Sequence, residues 1–265
     1  MAVLTRRQFL VVTGEIAGVG LLAACGIRLS DGVRGGAGQA DGALLQARPG
    51  AAPTESSDGP PSSPGTHPLG LEADRDPLVY VPPTVVPDTA APLVLTLHGA
   101  GGDAAAGLAL LQPLADEGGL LLLAPASRET TWDAIRGAYG PDAAVIDRAL
   151  TRVFSGFTVD AGRVAVAGFS DGASYALGLG LANGDLFRRI VAFSPGFVPP
   201  GAPRHGTPLV FVSHGDADEV LPIDRTSREI VPELRDDGYD VTYREFSGPH
   251  TVPPGISREA ADWLR

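Results

Sequence analysis

Ser170 stands in Gly168-Phe169-Ser170-Asp171-Gly172, which directly follows the apolar run Arg163-Val164-Ala165-Val166-Ala167 and precedes a stretch of small residues. A Gly-x-Ser-x-Gly segment between a strand and a helix makes a sharp turn, because glycines on both sides let backbones approach closely. Such a turn lifts the serine hydroxyl to a helix N-terminus and leaves the backbone N–H of Asp171 facing the same space. A hydroxyl nucleophile also needs a base, and that base needs an orienting carboxylate. His250, in Gly248-Pro249-His250 just before the final helix, is the histidine placed to act as base. Asp216, Asp218 and Glu219 compete for the acid position within His214-Gly215-Asp216-Ala217-Asp218-Glu219-Val220-Leu221-Pro222, and spacing alone does not choose among them. A second oxyanion donor is expected from His98-Gly99-Ala100-Gly101-Gly102, with the N–H of Ala100 aimed at the same spot as that of Asp171. Together these residue types describe acyl transfer through a serine. His98 is expected to support its loop, His67 and His205 to be solvated bystanders, and neither His98 nor His214 to be catalytic.

These residues need a scaffold, and from Leu71 onward short apolar runs alternate with longer amphipathic stretches, the pattern of a mostly parallel sheet flanked by helices. Strands are expected at Pro92–His98, Leu120–Ala124, Arg163–Ala167, Ile190–Phe193 and Leu209–Val212, with an edge strand at Val241–Phe246. Helices are expected near Ala104–Glu117, Asp142–Phe154, Gly172–Ala182, Asp224–Asp237 and Ser257–Leu264, with a kink or late start in the fourth because of Pro232. Each chemical motif then falls at the end of a strand. The stretch between Phe193 and Leu209 is short and rich in Pro and Gly, so no large lid is expected and the site should be open.

The domain from residue 71 to 265 resembles the phospholipase/carboxylesterase-type branch of the α/β-hydrolases, near the feruloyl esterase and polyhydroxybutyrate depolymerase relatives. The residues that carry the resemblance are Leu97-His98-Gly99-Ala100-Gly101-Gly102, the Ser170 turn, His214-Gly215-Asp216-Ala217-Asp218 and Gly248-Pro249-His250. It implies a compact α/β-hydrolase fold and a catalytic set of Ser170, Asp218 and His250, with Asp218 preferred over its neighbours because His-Gly-x-x-Asp followed by Val-x-Pro is the family form. Ala100 and Asp171 are the implied oxyanion donors. Thr131-Trp132-Asp133 matches a segment that lines the site in similar proteins, and Trp132, Tyr139 and Phe169 are candidate pocket walls. One departure is Asp171 itself, where many relatives carry Gln, Met or His. The implied substrate is a small or soluble ester, with no cofactor and no metal. A peptidase of the same fold and a non-catalytic surface lipoprotein are the alternatives.

Composition bounds the partners. The chain of 265 residues suits one enzyme-sized domain plus extensions, and its net charge of −11 argues against nucleic acid. A single cysteine excludes an internal disulfide and a cysteine-based zinc site. That cysteine, Cys25, ends Leu22-Ala23-Ala24-Cys25, downstream of Thr5-Arg6-Arg7-Gln8-Phe9-Leu10. The arrangement resembles a twin-arginine export signal with a lipobox over residues 1–25, which implies export and a lipid anchor at Cys25 on the outer face of a bacterial membrane. Membrane contact is expected through that anchor alone. Residues 26–70, rich in Gly, Pro, Ser and Ala, are expected to form a disordered tether to the catalytic domain at 71–265.

Overall fold

The computed structural model describes residues 41–50, 62–86, 89–200 and 203–265. Strands form where apolar runs rich in Val, Leu and Ile are bounded by turn residues. The first two, β1 (Gly65–Pro68) and β2 (Leu78–Val81), make an antiparallel edge. The body is parallel: β3 (Ala91–Leu97), β4 (Leu121–Ala124), β5 (Val159–Phe169), β6 (Arg189–Phe193), β7 (Leu209–Gly215) and β8 (Val241–Phe246) lie in the order β1-β2-β4-β3-β5-β6-β7-β8. Along β3 every residue is buried, with Leu93, Leu95 and Leu97 in one core cluster and Val94 in the other. A strand buried on both faces requires helices on both sides of the sheet.

The helices provide that cover. One face carries α1 (Ala104–Ala109) and α2 (Gln112–Gly118); the other lies beyond the short α3 (Asp133–Arg136) and carries α4 (Pro141–Gly156), α5 (Asp171–Ala182) and α6 (Ser227–Asp236). The last helix, α7 (Pro254–Leu264), joins α1 and α2 through Ala260, Ala261 and Leu264. The expected single helix near Ala104–Glu117 is two, because Pro113 occupies the first turn of α2, where its missing N–H costs nothing. The proline does not set the start of the fourth helix: a 3-10 turn at Ile223–Arg225 precedes α6, which begins at Ser227 and contains Pro232 in its interior. Between Phe193 and Leu209 the described residues form neither helix nor strand.

The tether expected over residues 26–70 needs correction where the chain is described. Residues 41–50 lie on the domain, with Ala43, Leu45 and Ala47 buried. Their backbone groups are taken up by side chains: Asn183 accepts the N–H of Leu45 at 2.9 Å and donates to the carbonyl of Ala43 at 2.8 Å, while one oxygen of Asp147 accepts the N–H groups of Gln46 and Ala47. Burial of Leu45 contributes about 2 kcal/mol, which helps to offset the cost of ordering so irregular a segment. Further along, Gly65–Pro68 pairs with β2, and His67 in that strand donates from Nε2 to the Ser63 carbonyl, 2.7 Å away. Residues 1–40 and 51–61, on which the expected signal, the expected lipidation at Cys25 and much of the expected tether fall, lie outside the described residues. Among the described residues no helix is long and apolar enough to cross a membrane.

Sheet register gathers the motifs at one end. Leu97 of β3 is paired with Gly168 of β5, so the loop after β3 lies beside the Ser170 turn. Gly215 of β7 is paired with Phe246 of β8, so the segment bearing Asp218 runs beside the one bearing His250. Functional residues in open parallel sheets collect at these carboxyl ends.

Candidate active site

Ser170 sits between β5 and α5 with φ +57° and ψ −121°, a conformation that side-chain-bearing residues rarely adopt. Crossing of backbones dictates the glycines around it. A Cβ on Gly168 would drive into the carbonyl of Gly172, and one on Gly172 would drive into the carbonyl oxygens of Leu97 and His98. The strain is held by neighbours: the N–H of Ser170 donates to the carbonyl of Phe193 at 2.9 Å, and its own carbonyl starts α5 by accepting from Ala173 and Ser174.

Three side chains from different strand ends form one hydrogen-bonded line. The Ser170 hydroxyl lies 2.8 Å from His250 Nε2, and His250 Nδ1 lies 2.6 Å from Asp218 Oδ2. Of the three carboxylates that spacing left open, Asp218 is the one in contact with His250; it is buried, with its other oxygen accepting the N–H groups of Val220 and Leu221 at 2.9 and 2.8 Å. Burial pushes the Asp218 carboxyl up, but the Leu221 N–H and His250 outweigh it and leave the group below the usual carboxylate range. Its rivals do other work. Asp216 accepts from the Ser247 hydroxyl and the Gly248 N–H, pinning the loop that leads to His250, and Glu219 is exposed.

Among the described residues, neither the Ala100 N–H nor the Asp171 N–H has a protein acceptor, although their neighbours Gly101 and Gly102 do. Unpaired N–H groups at a loop and a helix N-terminus can stabilise a developing oxyanion. The Asp171 carboxylate accepts from the Thr131 hydroxyl at 2.6 Å, a contact the sequence did not suggest, and this ties the side chain to the loop before α3.

His98 supports the loop as expected. Its Nε2 accepts the Ser127 N–H at 3.0 Å, so Nδ1 carries the hydrogen and donates to the Gly99 carbonyl at 2.7 Å. Burial lowers its pKa and keeps the ring neutral. His205 is exposed, with its backbone alone engaged.

Of the three candidate pocket walls, Phe169 stands at the site, its ring 4.7 Å from that of His250. Trp132 and Tyr139 do not line it and belong to the core. The Trp132 indole N–H donates to the His98 carbonyl at 2.9 Å, and its ring lies 4.7 Å from His98 on one side and 5.1 Å from Tyr175 on the other, leaving no face for a ligand. Tyr139 continues this stack against Tyr175 at 5.2 Å. Two carboxylates fasten the segment from below: Asp133 accepts the N–H groups of Gly140 and Asp142 and the Tyr175 hydroxyl, and Asp142 accepts those of Arg128 and Asp133. Sequence reading also missed Ser174, one turn after Ser170, whose oxygen accepts the N–H groups of Gly196 at 2.9 Å and Phe197 at 3.4 Å and so fixes the loop after β6.

The esterase PE8 structure shares 26% identity with the chain at a TM-score of 0.58, covering 71% of this chain and 96% of that one. The chain has the α/β-hydrolase fold. Other α/β-hydrolase structures that resemble it include a phospholipase/carboxylesterase from Dyadobacter fermentans (23% identity, TM-score 0.55, 70% and 95% covered) and a ferulic acid esterase from Anaeromyces mucronatus (17%, 0.54, 80% and 92%). The sequence model of the Phospholipase/Carboxylesterase family matches residues 135–253, a span that contains Ser170, Asp218 and His250 and stops short of the Ala100 loop. No curated protein shows significant sequence similarity to the chain.

Proposed function

We propose that this α/β-hydrolase is a serine carboxylic-ester hydrolase acting on small or soluble esters. The observation that carries the reading is the Ser170–His250–Asp218 line, with unengaged N–H groups at Asp171, the residue after Ser170, and at Ala100 in the loop after the neighbouring strand. In the proposed reaction Ser170 Oγ attacks the ester carbonyl as His250 Nε2 takes its proton, and the tetrahedral oxyanion accepts from Ala100 and Asp171. Asp218 keeps Nδ1 of His250 protonated and stabilises the imidazolium. His250 then gives the proton to the departing alkoxide, and the ester C–O bond breaks to leave acyl-Ser170. Water, deprotonated by His250, attacks the acyl carbonyl; His250 then returns the proton to Ser170 Oγ as the acyl–Oγ bond breaks, releasing the acid and the free serine.

The bare loop after β6 supports an open site, since no helical lid is formed by its described residues. Phe197 and Val220 are among the exposed large apolar side chains, and they flank the segment where Gly196 approaches Leu221, a surface suited to the apolar part of a modest ester. The Asp171 carboxylate, which has no cationic partner among the described residues, disfavours esters of diacids close to the scissile bond.

A series of p-nitrophenyl esters of rising acyl length, run beside aminoacyl anilides, tests the reading. Turnover is expected to be greatest for short acyl chains and to be absent for the anilides. Anilide cleavage with idle esters would transfer the site to peptide chemistry, and inactivity on both would favour a fold retained for binding.

The localisation belongs to the same proposal: the sequence at residues 1–25 marks the chain for export through its arginine pair and for lipidation at Cys25. Wild-type protein is expected in the membrane fraction and Cys25→Ser in the soluble exported fraction. Equal membrane association of the two would remove the anchor.

A further inference from the structure

Asp218 meets two histidines. Besides His250, the fully buried His214 brings its Nε2 to 3.1 Å from the same oxygen, Oδ2. The partners of His214 settle where its proton lies. Nε2 also faces the Leu221 carbonyl at 2.8 Å, and a carbonyl oxygen only accepts, so Nε2 carries the hydrogen. Nδ1 is then a lone pair that accepts the Ser227 hydroxyl at 2.7 Å. The ring is a neutral strut between the first residue of α6 and the acid loop, and burial keeps it neutral by lowering its pKa.

The N–H groups of Val220 and Leu221 both attach to Oδ1 and set the carboxylate plane, so Oδ2 is left to face His250 on one side and His214 on the other.

We propose that His214 is a positioning residue of the hydrolytic site: its one Nε2–H, directed at the Leu221 carbonyl and also facing Asp218, steadies the acid loop and draws charge from Oδ2, the oxygen that meets His250. The inference rests on the proposed roles of Ser170, His250 and Asp218. Its effect on charge has a sign. A donor to a carboxylate stabilises the anion and weakens its pull on a neighbouring imidazolium. Loss of the donor leaves Asp218 more basic, so His250 holds its proton to higher pH. The other charged groups facing His214 are Glu245 on β8, directly across from it in register, and Arg228 on α6, which pairs with Glu245 at 2.6 Å and with Asp224 at 2.6 Å. They are the same in every variant considered.

Two amide replacements separate positioning from bulk. The oxygen of His214→Asn reaches the position of Nδ1 and still accepts from Ser227, but the side chain is too short for Asp218; the amide of His214→Gln extends to the position of Nε2. The readout is the rate of fluorophosphonate labelling of Ser170 across pH, with thermal midpoints measured alongside. In His214→Asn the rate should fall on the order of tenfold, the scale at which orienting partners of reacting groups act, and the acidic limb should move to higher pH. His214→Gln should recover most of the rate and the wild-type limb. A limb unmoved in both variants, whether or not the midpoint drops, overturns the proposal and leaves His214 as a core residue. Should His214→Asn fail to fold, His214→Phe decides: it keeps a ring in the same space and removes the donor, so the limb should shift in the same direction, and an unmoved limb again overturns the proposal. Absence of labelling in the wild type would instead strike the nucleophile assignment, a different failure.

Discussion

Ser170→Ala should reduce ester hydrolysis on the order of a millionfold and abolish fluorophosphonate labelling, while the protein stays folded. Alanine carries the same Cβ as serine and meets the same backbone requirement at φ +57°, so the turn keeps its geometry. What disappears is the one oxygen within 2.8 Å of His250 Nε2. The residual rate should come from substrate held against the Ala100 and Asp171 N–H groups with water as nucleophile. The nearest hydroxyl along the helix cannot replace it: Ser174 is spent on the N–H groups of Gly196 and Phe197 and on the Ser170 carbonyl. Rates are to be measured on a short p-nitrophenyl ester, with circular dichroism as the control for folding. Full activity in this variant would sink the nucleophile and the ester mechanism together.

Why the Ser170 turn could be read from sequence while other parts could not has a physical basis. Strands such as Ala91–Leu97 and Arg189–Phe193 announce themselves because burial on both faces demands an unbroken apolar run, which few other environments do. Ser170 was legible because the close approach of Gly172 to two carbonyls demands glycine at fixed offsets. By contrast, residues 41–50 satisfy their backbone through Asn183 and Asp147, far along the chain, and no local pattern encodes that. The short β1 and β2 likewise escape detection, because Gly65–Pro68 owes its extended shape to its partner strand more than to its composition. Trp132 and Tyr139 show the limit for aromatics: sequence gives their size, while only the stack from His98 through Tyr175 says which way they face. The His214 contact with Asp218 was hidden for a similar reason, since residues four apart meet only because the loop after β7 folds back on its strand.

That loop holds the most discriminating test, because three carboxylates lie within four consecutive positions and their environments differ sharply. Asp218→Asn should cost about ten-thousandfold in turnover, since an amide cannot accept from His250 Nδ1 with the same charge and can force the wrong tautomer on the ring. Its folding should survive in large part, because the Asn oxygen can still accept the Val220 and Leu221 N–H groups that now reach Oδ1. Asp216→Asn keeps an acceptor for the Gly248 N–H and loses mainly charge, so a loss of a few-fold is expected through slight loosening of the His250 loop. Glu219→Gln changes an exposed side chain and should leave the rate within about twofold. The ordering is therefore Asp218 far below Asp216, and Asp216 slightly below Glu219. Turnover of a short ester, measured with each variant's thermal midpoint, gives the ranking. If Asp216→Asn proved the inactive variant and Asp218→Asn the tolerant one, the 2.6 Å contact to His250 would not be the working one, and the acid would have to be reassigned while Ser170 and the fold remained in place.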